Sequence, residues 1–337
     1  MLQTSTLASV ERLIEIAGSI CDRRMLVIGD LIADQFLYGQ INRVSREAPV
    51  LILHHERTVS SPGGAANCAM NLAALGARVE IIGAVGSDEP GRVLSSALRE
   101  AKINCDRVVS DDNLNTTTKV RIFAGHSHSP KQQVIRVDYE GKKPLPVEIR
   151  QQLLESALTA AKTTDAVVIS DYGYGIIDDS FACSLRNGVT TPVFVDSRFQ
   201  LGQLTGFTSA TPNEDEVENL WGSGFTDDAE LEKAVMVLRK RLGLKALLVT
   251  RGSKGMLLAE EGRPFLHIPA VGSNEPIDVT GAGDTVIAAY SLALAAGASF
   301  AEAAQLANHA GGIVVMKRGT SSVTLNELVH SIKSLGQ

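Results

Sequence analysis

The feature that most constrains this sequence is a repeated alternation of short strand-like runs with longer helical segments. The β-branched runs MLVIGD, RVEIIGAVG, DAVVISD, TPVFVD and KALLVT are bounded by Gly or Asp. Segments of helical period lie between them, such as residues 64–76 and 227–243. Successive parallel strands need such helical crossovers, so the pattern predicts an α/β fold with a mostly parallel central sheet flanked by helices.

Two stretches interrupt this rhythm. Residues 36–60 and 115–139 are rich in strand-forming residues with no helix between the strands. They flank the first helix and the next strand–helix unit, so we expect them to return to the same edge of the molecule. The sequence therefore predicts one small β-sheet lid built from two insertions, and no separate domain.

Acidic residues stand at the ends of several predicted strands, notably Asp30, Asp171 and Asp196. In open α/β sheets, ligands bind beyond the carboxyl ends of the strands. These side chains are therefore candidate site residues.

The charge and the cysteines exclude several classes of function. The net charge of −6 provides no general attraction to nucleic acid or to anionic lipid, so a small-molecule pocket is favoured. The four cysteines are far apart and form no CxxC pair, which is typical of a reduced cytosolic protein. The first 20 residues are too polar for a signal peptide, and no apolar run is long enough to span a bilayer. We expect a cytoplasmic protein without nucleic-acid or membrane partners.

The segment DVTGAGD at 278–284 carries the strongest chemical signal, because Gly281, Ala282 and Gly283 precede Asp284 and a helical pattern follows. Backbone N–H groups at a helix N-terminus favour an anion such as a phosphate. A carboxylate in the first helical turn can accept the proton of a hydroxyl that attacks a γ-phosphoryl group. A structural Asp near an N-cap would explain a shorter GxGD motif, but the longer string is improbable by chance.

The segment PGGAANCAMNLAALG at 62–76 carries a second signal. Gly63 and Gly64 allow a ligand to approach the backbone closely, and Asn67 can hydrogen-bond a sugar hydroxyl. The alternative is a tight turn followed by an ordinary amphipathic core helix.

Together these two segments resemble the ribokinase-like carbohydrate kinase family, also named for phosphofructokinase B, and the resemblance covers essentially the whole chain. Within the family, GDLIADQFLYGQINRVSREAPV, GGAANCAMNLAALGA and DVTGAGDTV are similar to the kinases that phosphorylate heptose 7-phosphate at its anomeric carbon, the kinase part of ADP-heptose synthase. The resemblance implies one ribokinase-like domain over residues 1–337 that uses ATP with Mg²⁺, and K⁺ as a further cation. We expect kinase activity alone, without a fused nucleotidyltransferase.

The resemblance also implies roles for individual positions. Asp284 is the expected catalytic base, with Gly281, Ala282 and Gly283 as the anion site. The residues expected at the sugar are Asp30, Asp34, Gly63, Gly64, Asn67, Asp171 and Arg198. Those expected at the nucleotide are Asn213, Glu216, Thr250, Gly252, Gly255 and Asn308. Glu216 is expected to organise Mg²⁺, whereas Asp278 and Thr280, with the backbone of 317–322, resemble a monovalent-cation site. Without the family, Asn213 would be interpreted as the N-cap of an acidic helix.

The chain departs from the heptose kinase pattern at two loops. DYAKG of those kinases is DYGYG here, and DPKG is DSRF, so Tyr174 and Arg198 stand where lysines are expected. Arg198 can still contact a phosphate, whereas Tyr174 supplies no charge. The acceptor is therefore either a sugar phosphate or a sugar without phosphate. A nucleoside kinase and a sugar-sensing protein without turnover are the alternatives, and the intact Asp284, Asn213 and Glu216 argue against the second.

Three weaker patterns are not assigned a function. Residues 86–93 have P-loop spacing but lack its Lys and Ser or Thr, so they predict a turn and the start of a helix. His126 and His128 lie on a polar hairpin, where such a pair is usually solvated, and His54 and His55 face opposite sides of a strand.

The exposed face and edge of the lid predict a homodimer through the lids.

Overall fold

The computed structural model describes residues 7–126, 131–141, 145–272 and 275–334. The strands are β1 (Arg24–Gly29), β2 (Leu31–Val44), β3 (Leu51–Gly64), β4 (Arg78–Gly86), β5 (Asn104–Asp111), β6 (Thr117–Gly125), β7 (Gln132–Tyr139), β8 (Ala166–Asp171), β9 (Val193–Ser197), β10 (Ser209–Ala210), β11 (Ala246–Thr250), β12 (Met256–Glu260) and β13 (Leu266–Ile268). The helices are α1 (Val10–Ser19), α2 (Ala65–Ala74), α3 (Glu89–Glu100), α4 (Val147–Ala160), α5 (Asp179–Gly188), α6 (Glu214–Trp221), α7 (Asp228–Arg241), α8 (Ala282–Ala295), α9 (Phe300–Val314) and α10 (Leu325–Ser334).

The central sheet has nine strands in the order β13-β12-β11-β10-β9-β8-β1-β4-β5. All neighbours from β11 to β5 pair in parallel, whereas the β11–β12 and β12–β13 pairs are antiparallel. Buried apolar side chains form two clusters, and the strands of the sheet contribute to them from alternate residues. The predicted α/β class is confirmed.

The parallel register brings the strand ends to one edge of the sheet. Gly29 is opposite Ser170, which is opposite Asp196. Asp171, the last residue of β8, is opposite Ser197. The acidic strand ends expected from the sequence therefore lie side by side, as they must where parallel strands finish together.

Helix α8 is deeply buried at this edge. Every residue from Asp284 to Ala293 is buried, and Gly281 forms its N-cap in the left-handed conformation. The small side chains of α8 allow it to pack closely against α2 and α9. The start of this helix is consequently held in place by the core.

Residues 86–93 form a turn and a helix start, as the sequence predicted. Asp88 is the N-cap of α3, and its carboxylate accepts the N–H of Gly91 at 2.9 Å. The same carboxylate accepts the hydroxyl of Thr116 at 2.6 Å, which ties this turn to the strand β6 that follows.

A second, four-stranded sheet, the small sheet, has the order β3-β2-β6-β7. Both strand-rich stretches, 36–60 and 115–139, contribute strands to it. Strand β2 leaves the central sheet directly after β1, pairs antiparallel with β3 and parallel with β6, and β7 closes the other edge. Every residue of β7 is exposed.

No helix in the described ranges is long and apolar enough to cross a membrane. All four cysteines have free thiols, and Cys68 and Cys105 are buried.

Candidate active site

Gly281 shapes the start of α8. Its φ is +78°, a backbone conformation that side chains disfavour, and a Cβ at this position would lie 2.4 Å from the Nδ2 atom of Asn67. Glycine is therefore required both for the turn and for the close approach of Asn67.

Asp284 lies in the first turn of α8 and is 2% exposed. Its Oδ1 accepts the hydroxyl of Tyr172 at 2.8 Å, and its Oδ2 accepts the amide N–H of Asn67 at 2.9 Å. Burial raises the pKa of Asp284 to about 7, although the bonds from Asn67 and Tyr172 oppose the rise. A carboxyl group that titrates near neutral pH is suited to accept and release a proton.

The backbone N–H groups beside Asp284 only partly match the expectation. Ala282 donates its N–H to the carbonyl of Val279 at 3.2 Å, so this group is already used within the turn. Gly283 donates to no acceptor in the described part of the chain, as is typical of the second position of a helix. Gly283 therefore remains a candidate anion donor, and Ala282 does not.

Asn67 occupies a different place from the one expected. It is 2% exposed and donates its amide to Asp284 and, at 3.4 Å, to the carbonyl of Gly281. Its own oxygen accepts from Asn71 at 3.3 Å. Asn67 thus lies behind Asp284 and orients it, instead of forming the wall of the cavity.

Asp284 opens into a cavity of about 470 Å³, the central cavity. Twelve of the predicted residues line it, from both sheets and from α8. They are Asp34, Gly64, Asp171, Arg198, Asn213, Glu216, Thr250, Thr280, Gly281, Ala282, Gly283 and Asp284.

One end of the central cavity is acidic. Asp196 and Glu216 are half-buried, and burial is the main cause that raises the pKa of each. The charges of Glu216, Asp284 and Asp171 raise the pKa of Asp196 further, and Arg198 opposes this. The two carboxylates of Asp196 and Glu216 carry more charge than Arg198 offsets, so this end of the cavity fits a cation.

Asn213 and Glu216 also form a capping box at the start of α6. Asn213 accepts the N–H of Glu216 at 2.8 Å, and Glu216 accepts the N–H of Asn213 at 2.9 Å. The helix-cap interpretation is thus correct, and both residues still line the cavity. No group of three His, Cys, Asp or Glu side chains converges as a metal centre within the described ranges.

The other end of the cavity is basic, and sequence reasoning missed most of it. Lys119 and Arg121 on β6, and Arg136 on β7, line the cavity. Arg198 lines it between these cations and the acidic end, since its charge acts both on Lys119 and on Asp196. The signal was present in the sequence, since Lys119 and Arg121 are two apart on a strand and therefore share a face. Nothing in the sequence showed that this face turns toward Asp284.

Asp34 lies beneath the basic strands. It is 4% exposed and forms an ion pair with Arg121. Burial nevertheless raises its pKa, against the charge of Arg121. A Cβ at Gly63 would lie 2.4 Å from the Oδ2 of Asp34, so this glycine makes room for the carboxylate.

Asp30 does not line the central cavity, contrary to the expectation that it contacts the sugar there. Its Oδ2 accepts the backbone N–H groups of Tyr172 and Tyr174, at 2.7 and 3.2 Å. It lines a separate cavity of about 680 Å³ together with Gly173, Tyr174 and Gly175 of this loop. Through these two bonds Asp30 holds the loop that carries Tyr172, whereas its Oδ1 is buried without a hydrogen-bond partner in the described residues.

The remaining predicted nucleotide residues surround a mostly apolar cavity of about 360 Å³. Gly252, Gly255 and Asn308 line it, and Asn308 donates its amide to the carbonyl of Pro269 at 2.7 Å. This apolar cavity shares Thr250, Val279, Ala282 and Gly283 with the central cavity, so the two cavities adjoin.

Asp278 joins the two segments of the expected monovalent-cation site. It accepts the N–H of Thr280 at 2.9 Å and that of Gly319 at 2.9 Å, and these bonds contribute to a lowered pKa that burial opposes. The Oγ1 of Thr320 is buried without a hydrogen-bond partner in the described part of the chain. An unsatisfied buried oxygen in the segment that also hydrogen-bonds Asp278 fits a cation ligand.

No metal centre involves a histidine in the part of the chain that the structure describes. His55 contacts the hydroxyl of Thr58 at 2.9 Å on the exposed strand β3. His128 lies outside the described residues.

Comparisons with known proteins agree with this arrangement. The model of the pfkB family of carbohydrate kinases matches residues 22–327. The bifunctional protein HldE of Photobacterium profundum is 40% identical over 311 residues, which cover 91% of this chain and 63% of that protein. The bifunctional protein HldE of Caulobacter vibrioides is 40% identical over 330 residues, which cover 96% of this chain and 66% of that protein. The chain therefore spans slightly less than two thirds of the length of these relatives.

Solved structures show the same fold at lower identity. Arabidopsis thaliana ribokinase, complexed with ribose and ATP, superposes with a TM-score of 0.72 and 21% identity, covering 93% of this chain and 99% of that one. Phosphofructokinase-2 from Escherichia coli, in complex with substrates and products, superposes with a TM-score of 0.77 and 19% identity, covering 94% of this chain and 100% of that one. The fold is ribokinase-like, and the chain belongs to the pfkB family of carbohydrate kinases, phosphotransferases that use an alcohol group as acceptor.

Proposed function

We propose that this protein transfers the γ-phosphoryl group of ATP to the anomeric hydroxyl of a heptose 7-phosphate. One observation carries the proposal. Asp284, a buried carboxyl group with a pKa raised to about 7, lies at the N-terminus of α8, where a polar cavity and an apolar cavity adjoin. The polar cavity suits a sugar phosphate, and the apolar cavity suits an adenine ring.

The proposed reaction needs one proton acceptor and one anion site. The acceptor hydroxyl gives its proton to Asp284 while its oxygen forms a bond to the γ-phosphorus of ATP. The bond from that phosphorus to the β,γ-bridging oxygen breaks, and ADP leaves. The free N–H of Gly283, with the positive end of the α8 dipole, stabilises negative charge on the transferring group.

Mg²⁺ fits the acidic end of the central cavity. Asp196 and Glu216 are half-buried, and repulsion between the two carboxylates adds to the effect of burial on the pKa of Asp196. These two residues would hold the ion together with the phosphates of ATP. When bound, Mg²⁺ supplies positive charge that neutralises those phosphates. Asp278, Thr280 and the unpartnered hydroxyl of Thr320 would hold K⁺.

The choice of acceptor is supported by the relatives and by the basic residues. The HldE proteins are 40% identical to the chain, and three segments resemble heptose 7-phosphate kinases. Arg198 lines the cavity where the resemblance expects a lysine, and Lys119, Arg121 and Arg136 add positive charge to the same cavity. Such a surface fits an acceptor that already carries a phosphate.

The small sheet would act as the lid over the sugar. Its strand β6 brings Lys119 and Arg121 to the cavity, and closing over the substrate would exclude water and suppress ATP hydrolysis. Its outer strand β7 exposes Val134, Ile135 and Val137, with 45%, 54% and 37% of their surfaces accessible. This edge would pair with a second copy of the chain. Sedimentation of the Ile135→Glu variant should then show monomer where the wild type shows dimer, whereas two identical profiles would contradict this pairing.

The proposed function is tested with an acceptor panel. Purified protein is incubated with Mg-ATP and D-glycero-D-manno-heptose 7-phosphate, the unphosphorylated heptose, ribose, fructose 6-phosphate or adenosine, and ADP release is measured. We expect the highest kcat/KM with the heptose 7-phosphate, and a product phosphorylated at the anomeric oxygen by ³¹P NMR. Preference for adenosine would instead indicate a nucleoside kinase, and no turnover with any acceptor would contradict the proposal.

A further inference from the structure

The inner face of the small sheet carries an ordered set of charges. Strand pairing places Asp34 opposite Lys119 and Lys119 opposite Asp138. One position further on the same face, Phe36 is opposite Arg121, and Arg121 is opposite Arg136. Because directly paired residues point to the same side of a sheet, these six side chains share one face.

Two of the three cations on this face are neutralised by carboxylates. Arg121 pairs with Asp34. Arg136 pairs with Asp138 through two hydrogen bonds of 2.8 and 3.0 Å. Lys119 forms no ion pair with any carboxylate in the described residues, although only 9% of its surface is exposed. A buried charge without a counter-ion is costly, which indicates that the counter-ion is a ligand.

The surroundings of Lys119 leave its ammonium group directed into the central cavity. It lies 5.5 Å from the ring centroid of Tyr172 and 5.6 Å from that of Tyr174. The two rings offer partial compensation through cation–π contacts, which are weaker than a full negative charge at this burial. Burial, followed by the charges of Arg198 and Arg136, lowers the pKa of Lys119, and a bound anion would counteract all three effects.

Two anionic groups would enter the site, the phosphates of ATP and the phosphate of the acceptor, and the position of Lys119 favours the second. The carboxylates with the largest influence on Lys119 are Asp138 and Asp34, which belong to the small sheet, and Lys119 in turn lowers the pKa of Asp284. The carboxylates that Arg198 influences are Asp196 and Glu216, at the acidic end. The proposed nucleotide cavity meets the central cavity at Thr250 and the start of α8, and its lining includes no residue of the small sheet. Lys119 therefore faces the acceptor.

We propose that Lys119 is a specificity-determining residue that binds the phosphate already carried by the acceptor, an inference that rests on the proposed function. It supplies the charge that this chain lacks at position 174. The hydroxyl of Tyr174 donates to Glu140 at 2.7 Å, and the ring of Tyr174 lies against the ammonium group of Lys119. Tyr174 itself carries no charge that could bind a phosphate. Tyr174 therefore supports Lys119, which takes the role of the lysine that is missing at position 174.

The test compares Lys119→Met, which keeps the length of the side chain and removes its charge, with Lys119→Arg. Lys131→Met is the matched control, since Lys131 lies beside the same sheet and pairs with Glu56 away from the cavity. For each protein, kcat/KM is measured with D-glycero-D-manno-heptose 7-phosphate and with the unphosphorylated heptose, and KM is measured for ATP. Thermal melts without ligand verify that each variant is folded.

We expect Lys119→Met to lower kcat/KM for the sugar phosphate about ten- to hundredfold, the range for one charge-assisted hydrogen bond, and to leave the unphosphorylated heptose within about threefold. Lys119→Arg should recover most of the loss, and Lys131→Met should match the wild type. An equal loss with both acceptors, or a raised KM for ATP, would assign Lys119 to the transferring phosphate and overturn the proposal. An unchanged kcat/KM would overturn it as well.

Ligand-induced stabilisation separates this proposal from the proposed function. If the wild type turned over no sugar, the proposed function would fail. A thermal melt in which heptose 7-phosphate stabilises the wild type but not Lys119→Met would still support Lys119 as the phosphate contact. Equal stabilisation of both proteins would refute it.

Discussion

Replacing Asp284 by Asn should abolish phosphoryl transfer and at the same time stabilise the protein. The amide keeps the shape of the carboxylate. Its oxygen can accept from Asn67 in place of Oδ2, and its NH₂ group can donate to the hydroxyl of Tyr172, which rotates its proton away. The neighbouring residues can therefore remain in place, and the variant should fold.

The catalytic loss follows from removal of the proton acceptor. General-base catalysis typically contributes about 10² to 10⁴ in rate, so kcat for Asp284→Asn should fall at least about hundredfold, with small changes in the KM for ATP and sugar. Coupled-assay ADP release measures this. A variant that retained more than about a tenth of the wild-type kcat would show that Asp284 is not the base.

The gain in stability follows from the raised pKa. Burial raises the pKa of Asp284 from 3.8 to about 7, so the folded state holds a proton more tightly than the unfolded chain. The wild type therefore loses stability as pH rises from about 4 to about 7, by on the order of 4 kcal/mol for a shift of roughly 3 pKa units. Asp284→Asn should escape this loss. Its urea midpoint should exceed that of the wild type at pH 8, and the gap should narrow at pH 5.

Asp165→Asn is the matched control at the opposite end of β8. Asp165 accepts the N–H of Arg24 at 2.8 Å, and this bond is the main cause of its lowered pKa. The stability from this group is present above the unfolded pKa and is lost as pH falls. Asp165→Asn should therefore lower the stability of the protein slightly at pH 8 and leave kcat unchanged. Asp284→Asn should instead raise the stability at pH 8 and lower kcat. If both variants had the same effect on stability, the buried-charge argument would be wrong.

Three further predictions concern the surroundings of the base. Tyr172→Phe removes a hydrogen-bond donor that lowers the pKa of Asp284. The acidic limb of the kcat–pH profile should therefore move to higher pH by roughly one pH unit. An unmoved limb would show that this bond does not influence the base. Arg198→Ala should raise KM for a phosphorylated acceptor about tenfold and leave the KM for ATP unchanged, while a preference for an unphosphorylated sugar would remove Arg198 from the site. Amide hydrogen exchange in the small sheet should be faster than in the central sheet without sugar and should slow when sugar binds, and equal protection in both states would indicate a fixed sheet.

Local patterns predicted the parts of the molecule that depend on neighbouring residues in the chain. The run before Asp284 predicted a helix start because Gly281 can take a positive φ and small residues follow it. The alternation of strands and helices predicted the parallel sheet, because each strand–helix unit is determined within about 30 residues. The acidic strand ends followed from the same topology.

The features that the sequence did not predict depend on contacts between distant segments. The bond from Tyr172 to Asp284 spans 112 positions, and no periodic pattern connects them. Asn67 was expected at the sugar, but the close approach of Gly281 directs its amide to Asp284. The spacing of Lys119 and Arg121 shows that they share a face of their strand. The importance of Lys119, however, depends on the ion pairs that neutralise Arg121 and Arg136, and only the pairing of the strands reveals those.

The distribution of charge suggests why the base and the small sheet are useful together. Asp284 belongs to α8, which the core holds in place, whereas Lys119 belongs to β6 of the small sheet and lines the same cavity. Lys119 is also one of the charges that lower the pKa of Asp284, against the larger effect of burial. A phosphate bound to Lys119 would offset this positive charge, so the pKa of Asp284 in the complex would depend mainly on burial and on the bonds from Asn67 and Tyr172. Lys119 would then act on the choice of acceptor, and Asp284, which the core holds in place, would act on the acceptor hydroxyl.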